Sequence, residues 1–220
     1  MPAIALFLAL LAAPASKHKA DDPATKGRAL AARIQRFYQR TKDFSADFTQ
    51  RYNYVAMGRT DVSSGTVKVK KPGLVRWDYV APVKKSLVLE GKTLWIYLPE
   101  DQTVQVNRSF GGDQLSSALT FLWGKGDLLT EFEPKAIAHP DGLPEGDGLE
   151  LLPKKPLAGI ERLVFVVGKD GQVKASVVTN PQGDVNQLVF EGKKGSKTDA
   201  PIPDSVFHFE PPKGAYVQEL

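Results

Sequence analysis

Val67-Lys68-Val69-Lys70-Lys71-Pro72-Gly73-Leu74-Val75-Arg76-Trp77, and shortly after it Leu87-Val88-Leu89-Glu90-Gly91-Lys92-Thr93-Leu94-Trp95-Ile96-Tyr97, decide the fold. Each stretch is two extended runs joined by a reversal. Lys71-Pro72-Gly73 and Glu90-Gly91-Lys92 supply the backbone angles that such reversals need. Val67 and Val69 alternate with Lys68 and Lys70; past the turn, Val75, Trp77 and Tyr79 share a face opposite Leu74, Arg76 and Asp78. Alternation with period two describes consecutive antiparallel strands with one apolar side.

Upstream, Leu30, Ile34, Phe37 and Tyr38 make the single apolar stripe of a helix over 25–41, with Thr25 as the expected N-cap. The period then switches to two, as Phe44, Ala46 and Phe48 alternate with Ser45, Asp47 and Thr49. Further strands are predicted near 63–70, 74–80, 85–90, 93–98 and 102–107. In 93–98 both faces are apolar, and the aliphatic one, Leu94, Ile96 and Leu98, is expected on the concave side, opposite Trp95 and Tyr97.

Gly111-Gly112 introduces Leu115, Leu119 and Leu122, whose spacing predicts a second helix over 113–123, closed by Gly124-Lys125-Gly126. More strands follow near 131–138, 148–152, 160–168, 172–179, 184–191 and 205–209, with a flexible basic loop at 192–197. The pattern is mainly β: about eleven antiparallel strands and two helices, with no linker or repeat, in one domain over 25–220. Each helix must bury its stripe, and the apolar face of a curved sheet is the surface available.

The ends bear on location. Ile4 to Ala13 is a short apolar core and Ala13-Pro14-Ala15 a small-residue cleavage site, so residues 1–15 read as a signal peptide cleaved after Ala15, with a polar leader at 16–24. No Lys or Arg precedes the core, so the terminal amine alone supplies the positive charge. The run is shorter than the about 20 apolar residues that a spanning helix requires. The 220 residues contain no Cys, which removes both a disulfide framework and a lipid anchor on cysteine.

Net charge is +4, with Lys26, Arg28, Arg33, Arg36, Arg40 and Lys42 gathered in and beside the first helix. Such a cluster reads as a solvated face, or as an attraction to an acidic partner or anionic headgroups. Basic and aromatic residues are not interleaved as nucleic-acid binding requires. Catalytic chemistry finds little support. His18, His139 and His208 lack metal-ligand spacing, there is no Gly-x-Ser-x-Gly elbow, and Asp101, Glu131 and Glu133 read as solvated.

Several motifs carry a resemblance. Phe44-Ser45-Ala46-Asp47-Phe48-Thr49-Gln50, Gly65-Thr66-Val67-Lys68-Val69-Lys70-Lys71-Pro72, Leu74-Val75-Arg76-Trp77, the leucines of 113–122, and Phe209-Glu210-Pro211-Pro212-Lys213-Gly214 occur in order. Together they resemble the outer-membrane lipoprotein carrier (LolA) family over about Leu30 to Val217. The resemblance implies an unclosed antiparallel half-barrel with a helical lid over a hydrophobic cavity for acyl chains. It further implies a monomeric periplasmic shuttle that takes acylated lipoproteins from an inner-membrane ABC-type transporter to an outer-membrane receptor. Contact with membrane surfaces would be transient, and neither cofactor nor metal nor catalytic residue is needed.

On this chain the cavity residues would be Phe44, Phe48, Val67, Val69, Val75, Trp77, Leu87, Leu89, Leu94 and Ile96, with Leu115, Leu119 and Leu122 in the lid. The family commonly has Arg before the proline, where its fork latches the lid. Here Lys71 stands there, and a point donor on a flexible stem predicts a weakened latch. Arg76 shares parity with Asp78, which turns it away from the lid. Two other functions fit the same fold: a periplasmic module that senses lipids or lipoproteins, and a lipid or glycan hydrolase.

Overall fold

The computed structural model describes residues 22–110, 127–190 and 196–220. The expected signal peptide, cleavage site and most of the leader lie outside these residues, as do the expected second helix with Leu115, Leu119 and Leu122, and Trp123.

Helix α1 (Pro23–Arg40) starts two residues earlier than the stripe suggests. Its N-cap is Asp22, whose carboxylate accepts from the Thr25 backbone N–H at 3.0 Å and from Thr25 Oγ1 at 3.1 Å. Thr25 is therefore the donor to the cap rather than the cap. Pro23, which has no N–H to lose, fits the first turn, and a carboxylate suits the positive end of the helix. Gly27, Ala31, Ile34, Phe37 and Tyr38 form the buried stripe.

The strands are β1 (Asp43–Tyr54), β2 (Arg59–Lys70), β3 (Leu74–Ala81), β4 (Lys85–Glu90), β5 (Thr93–Leu98) and β6 (Thr103–Asn107). After the short helix α2 (Leu128–Glu131) come β7 (Phe132–Ile137), β8 (Asp147–Pro153), β9 (Arg162–Val167), β10 (Val173–Thr179), β11 (Val185–Val189), β12 (Ser196–Thr198) and β13 (Tyr216–Glu219). They form a 13-stranded sheet in the order β13-β6-β5-β4-β3-β2-β1-β11-β10-β9-β8-β7, with β12 on β1. Its two ends, β13 and β7, do not pair, so the sheet is unclosed. Among the described residues all strand pairs are antiparallel except β13 with β6.

Two expectations are corrected and one strand is added. The strand at 205–209 is instead a 3-10 turn, Asp204–Phe207, followed by extended chain; Phe207 and Phe209 alternate as in a strand, but this segment lies on the outside of the sheet. Strand β12 begins inside the expected basic loop at 192–197 and runs one residue past it, because Ser196-Lys197-Thr198 has no apolar residue to mark a strand. Strand β13 follows a proline-rich stretch and pairs along one edge.

The inner face is the side on which α1 packs. Ile34, Phe37 and Tyr38 meet Leu149, Leu163 and Phe165 over β8 and β9, and the Tyr38 hydroxyl accepts from Val173 N–H at 3.2 Å. A second cluster on the same face spans β1 to β5 and β11, and Phe110 packs against it. The opposite, outer face of β3 to β5 is covered by the C-terminal strap around Asp204–Phe207. Phe207 is wholly buried, and the Phe209 ring lies 5.6 Å from Trp95 and 5.8 Å from Tyr97. Arg76 Nη1 donates to Val206 O at 3.2 Å, and Lys70 Nζ donates to Ile202 O at 2.7 Å and pairs with Asp204 Oδ1 at 2.6 Å.

Helix α1 approaches β7 at Gly27, where an added Cβ would stand 2.7 Å from backbone atoms of Pro134 and Lys135. Helix propensity alone makes Gly27→Ala stabilising by about 1 kcal/mol. The close approach reverses the sign, so the variant should lose roughly 1–3 kcal/mol by overpacking in chemical denaturation. A gain in stability would show that α1 shifts off β7 without cost.

Candidate functional site

Cross-strand register lays the inner face out in rows. Phe44, Val69, Val75, Leu89 and Leu94 are successive partners across β1 to β5. The next row is Ala46, Val67, Trp77, Leu87 and Ile96, and the row after it holds Phe48, Gly65, Tyr79 and Lys85. Every apolar residue assigned to the cavity from sequence thus points to the same side of the sheet. Phe44, Phe48, Val67, Val69, Trp77 and Leu89 are buried, whereas Val75, Leu87, Leu94 and Ile96 are half-buried.

Gly65 makes the third row possible. A Cβ there would lie 1.9 Å from Asp78 O and 2.9 Å from the Phe48 ring. Without one, Phe48 and Tyr79 meet edge to face over β2, with ring centroids 5.1 Å apart, and Phe48 also packs on Trp77 at 5.0 Å. Edge-to-face pairs add about 0.5–1.5 kcal/mol beyond burial.

One end of this face is polar. Tyr79 OH donates to Gln50 Oε1 at 3.0 Å, and Gln50 Nε2 donates to Asn186 Oδ1 at 2.8 Å. Lys85 Nζ sits 4.4 Å from the Tyr79 ring centroid, a cation–π contact. Burial pushes the Tyr79 phenol up to about 12 and keeps it a neutral donor. Trp77 Nε1 is buried with no acceptor among the described residues, and such an orphan costs on the order of 1–3 kcal/mol. Sequence reasoning missed this row. Gln50 and Lys85 have inner-face parity, but nothing in the sequence shows that they converge over a glycine.

Lys71 reaches α1. Its Nζ donates to the Tyr38 carbonyl in the last turn of the helix, next to the Phe37 carbonyl that accepts from Thr41 N and Oγ1. Burial lowers the Lys71 pKa, against the opposing charge of Asp199. Arg76 points to the outer face, as its parity suggests, and binds Asp78 Oδ2 at 2.7 Å. The basic face of α1 is partly engaged, since Arg33 pairs with Asp147 at 2.5 Å and the Arg40 guanidinium lies 5.8 Å from the Phe37 ring centroid. His208 is exposed rather than in a strand; its ring nitrogens lie 3.4 Å from Glu90 and 3.3 Å from Glu210, whose carboxylates raise its pKa.

Lys71→Ala removes a half-buried charge-assisted bond, contributing about 1 kcal/mol once solvent screening is allowed for. Amide exchange in the last turn of α1 should then quicken roughly fivefold, with β9 and β10 unchanged. Unaltered exchange in that turn would mean that packing of Phe37 and Tyr38 holds the helix end by itself.

Comparison with known proteins places this geometry. The family model described as "Outer membrane lipoprotein carrier protein LolA" matches residues 39–210. The outer-membrane lipoprotein carrier protein of Cupriavidus necator is 32% identical over 189 residues, 84% of this chain and 86% of that one. The protein of the same description from Proteus mirabilis is 29% identical over the same shares. Among solved structures, an uncharacterized conserved protein from Thermus thermophilus has a TM-score of 0.55 at 14% identity, with 89% of this chain and 99% of that one covered, a likeness of fold. With a family match that runs from the end of α1 through the C-terminal strap, the chain belongs to the LolA family of outer-membrane lipoprotein carrier proteins.

Proposed function

We propose that the protein carries acylated lipoproteins across the periplasm, holding their acyl chains against the apolar rows of the inner face. The observation that carries this reading is the register itself, which aligns Phe44, Val69, Val75, Leu89 and Leu94, and beside them Val67, Trp77, Leu87 and Ile96, into one continuous apolar surface. The half-buried members Val75, Leu87, Leu94 and Ile96 are the first that a chain would touch. In this reading the signal peptide directs export and is removed after Ala15. An inner-membrane ABC-type transporter loads the carrier, an outer-membrane receptor unloads it, and no covalent step occurs.

Energetics favour partial enclosure of the cargo. Each buried methylene contributes about 0.8 kcal/mol, so three chains of roughly fifteen methylenes represent on the order of 35 kcal/mol. Non-covalent affinities saturate near about 18–21 kcal/mol. A carrier that must also release its load therefore leaves part of the chains uncovered or opens at a cost. The bond from Lys71 to the end of α1 is a single point contact, which suits a closure that yields.

Native mass spectrometry of the protein from a periplasmic fraction tests the reading: bound lipoprotein is expected, while an unladen protein that turns over a lipid would replace it with a hydrolase. Val75→Glu tests the surface. A carboxylate there must protonate or repel the chains, so binding of an apolar fluorescent probe should fall at least tenfold at pH 7 with the β spectrum retained. Unchanged probe binding in the folded variant would move the acyl site elsewhere.

A further inference from the structure

Acyl chains are only part of a lipoprotein's modified end. Each chain joins the protein through an ester or amide, and an ester carbonyl accepts hydrogen bonds but donates none. A site that holds the chains in one direction needs donors where the hydrocarbon stops. The inner face has such a boundary. On four strands a polar residue follows an apolar one two positions along the same face: Leu188 and Asn186 on β11, Phe48 and Gln50 on β1, Trp77 and Tyr79 on β3, Leu87 and Lys85 on β4. On β2, between β1 and β3, Gly65 stands opposite both Phe48 and Tyr79 and leaves the gap over which Tyr79 reaches Gln50.

We propose that this boundary, which steps diagonally across the face from Lys85 and Tyr79 through Gln50 to Asn186, is the subsite for the ester carbonyls of the diacylglyceryl group, with Trp77 Nε1 as a further donor. The proposal rests on the carrier reading and adds to it a direction for the cargo. The hydrogen bonds run one way. Tyr79 donates to Gln50 and Gln50 to Asn186 Oδ1, so the Asn186 amide is oriented with its Nδ2 protons as the terminal donors of the relay. Lys85, placed over the Tyr79 ring, supplies a positive charge on the same face. Trp77 Nε1, buried beside Phe48 and without an acceptor among the described residues, gains one if a carbonyl reaches the edge of its ring. None of the four is a carboxylate, and Asp184, two positions beyond Asn186, is already engaged by the Val55 N–H and the Asn180 amide. Inward-facing residues two positions apart on a strand are separated by roughly 7 Å, so an ester lies within one side-chain step of chains that lie against Phe48, Trp77 and Leu87.

Two synthetic lipopeptides test the assignment: one with two palmitoyl esters on its glyceryl cysteine, and one with hexadecyl ethers in their place. They share chain length and differ in the carbonyls. The full mature protein should prefer the ester by about tenfold in calorimetric or fluorescence titration, the scale of one or two neutral hydrogen bonds. Asn186→Leu, Lys85→Met and Trp77→Phe should each reduce that preference about threefold or more, and the first two, which lie outside the apolar surface that holds the chains, should leave affinity for the ether within twofold. Asn186 and Lys85 are half-buried, so their variants keep the test available if Trp77→Phe does not fold. Equal binding of ester and ether overturns the subsite and leaves the carrier reading intact. An ester preference undiminished in both Asn186→Leu and Lys85→Met places the carbonyls elsewhere and equally overturns it. Failure to bind either lipopeptide overturns the carrier reading itself.

Discussion

Pairing of β1 on both of its edges is the constraint from which the architecture follows. One edge bonds β2 along its whole length, from Asp43 opposite Lys70 to Tyr54 opposite Arg59. The other bonds β12 near its start and β11 towards its end. A strand so placed cannot slip by one residue without turning Phe44, Ala46 and Phe48 to the outer face. Register at β1 therefore propagates outward through β2 to β5 and fixes the apolar rows. It also sets the half of the sheet on which α1 lies, because β11 leads on to β10, β9 and β8.

The parts of the fold legible in the sequence are those where one face is greasy and the other is not. Val67 and Val69 against Lys68 and Lys70 fixed a strand and its orientation at once, and the inner-face parity of Trp77, Leu89 and Ile96 follows from the same rule. Misreadings occur where the physical cause is non-local. Phe207 and Phe209 alternate as in a strand, but they seat against the outer face of the sheet instead of pairing in it. Strand β12 is polar throughout and exists because β1 has a free edge there. The relay from Tyr79 to Asn186 crosses three strands distant in sequence, so no window along the chain contains it.

Lys70 and Lys71 are neighbours with opposite tasks. Parity at the end of β2 sends Lys70 to the outer face, where it grips the C-terminal strap at Ile202 and Asp204. Lys71, just past the strand, turns to the end of α1. One short segment of backbone thus ties down the first helix on one side of the sheet and the last segment on the other. The half-barrel wall is held between helix α1 and the C-terminal strap, through two adjacent lysines at the end of β2.

Both rims of this sheet are guarded. An unclosed sheet offers two rows of unpaired backbone groups on which another copy could add, and a protein with an apolar inner surface is exposed to that hazard. At one rim Pro134 removes a donor from β7, and Gly27 lets α1 press against its backbone. At the other, β13 is four residues long and binds β6 in parallel, so a newcomer finds a short template. The helix that opens the described fold and the strand that closes it thus act as stops against polymerisation, and a chain truncated before Tyr216 would present the bare edge of β6 as a nucleus for fibrils.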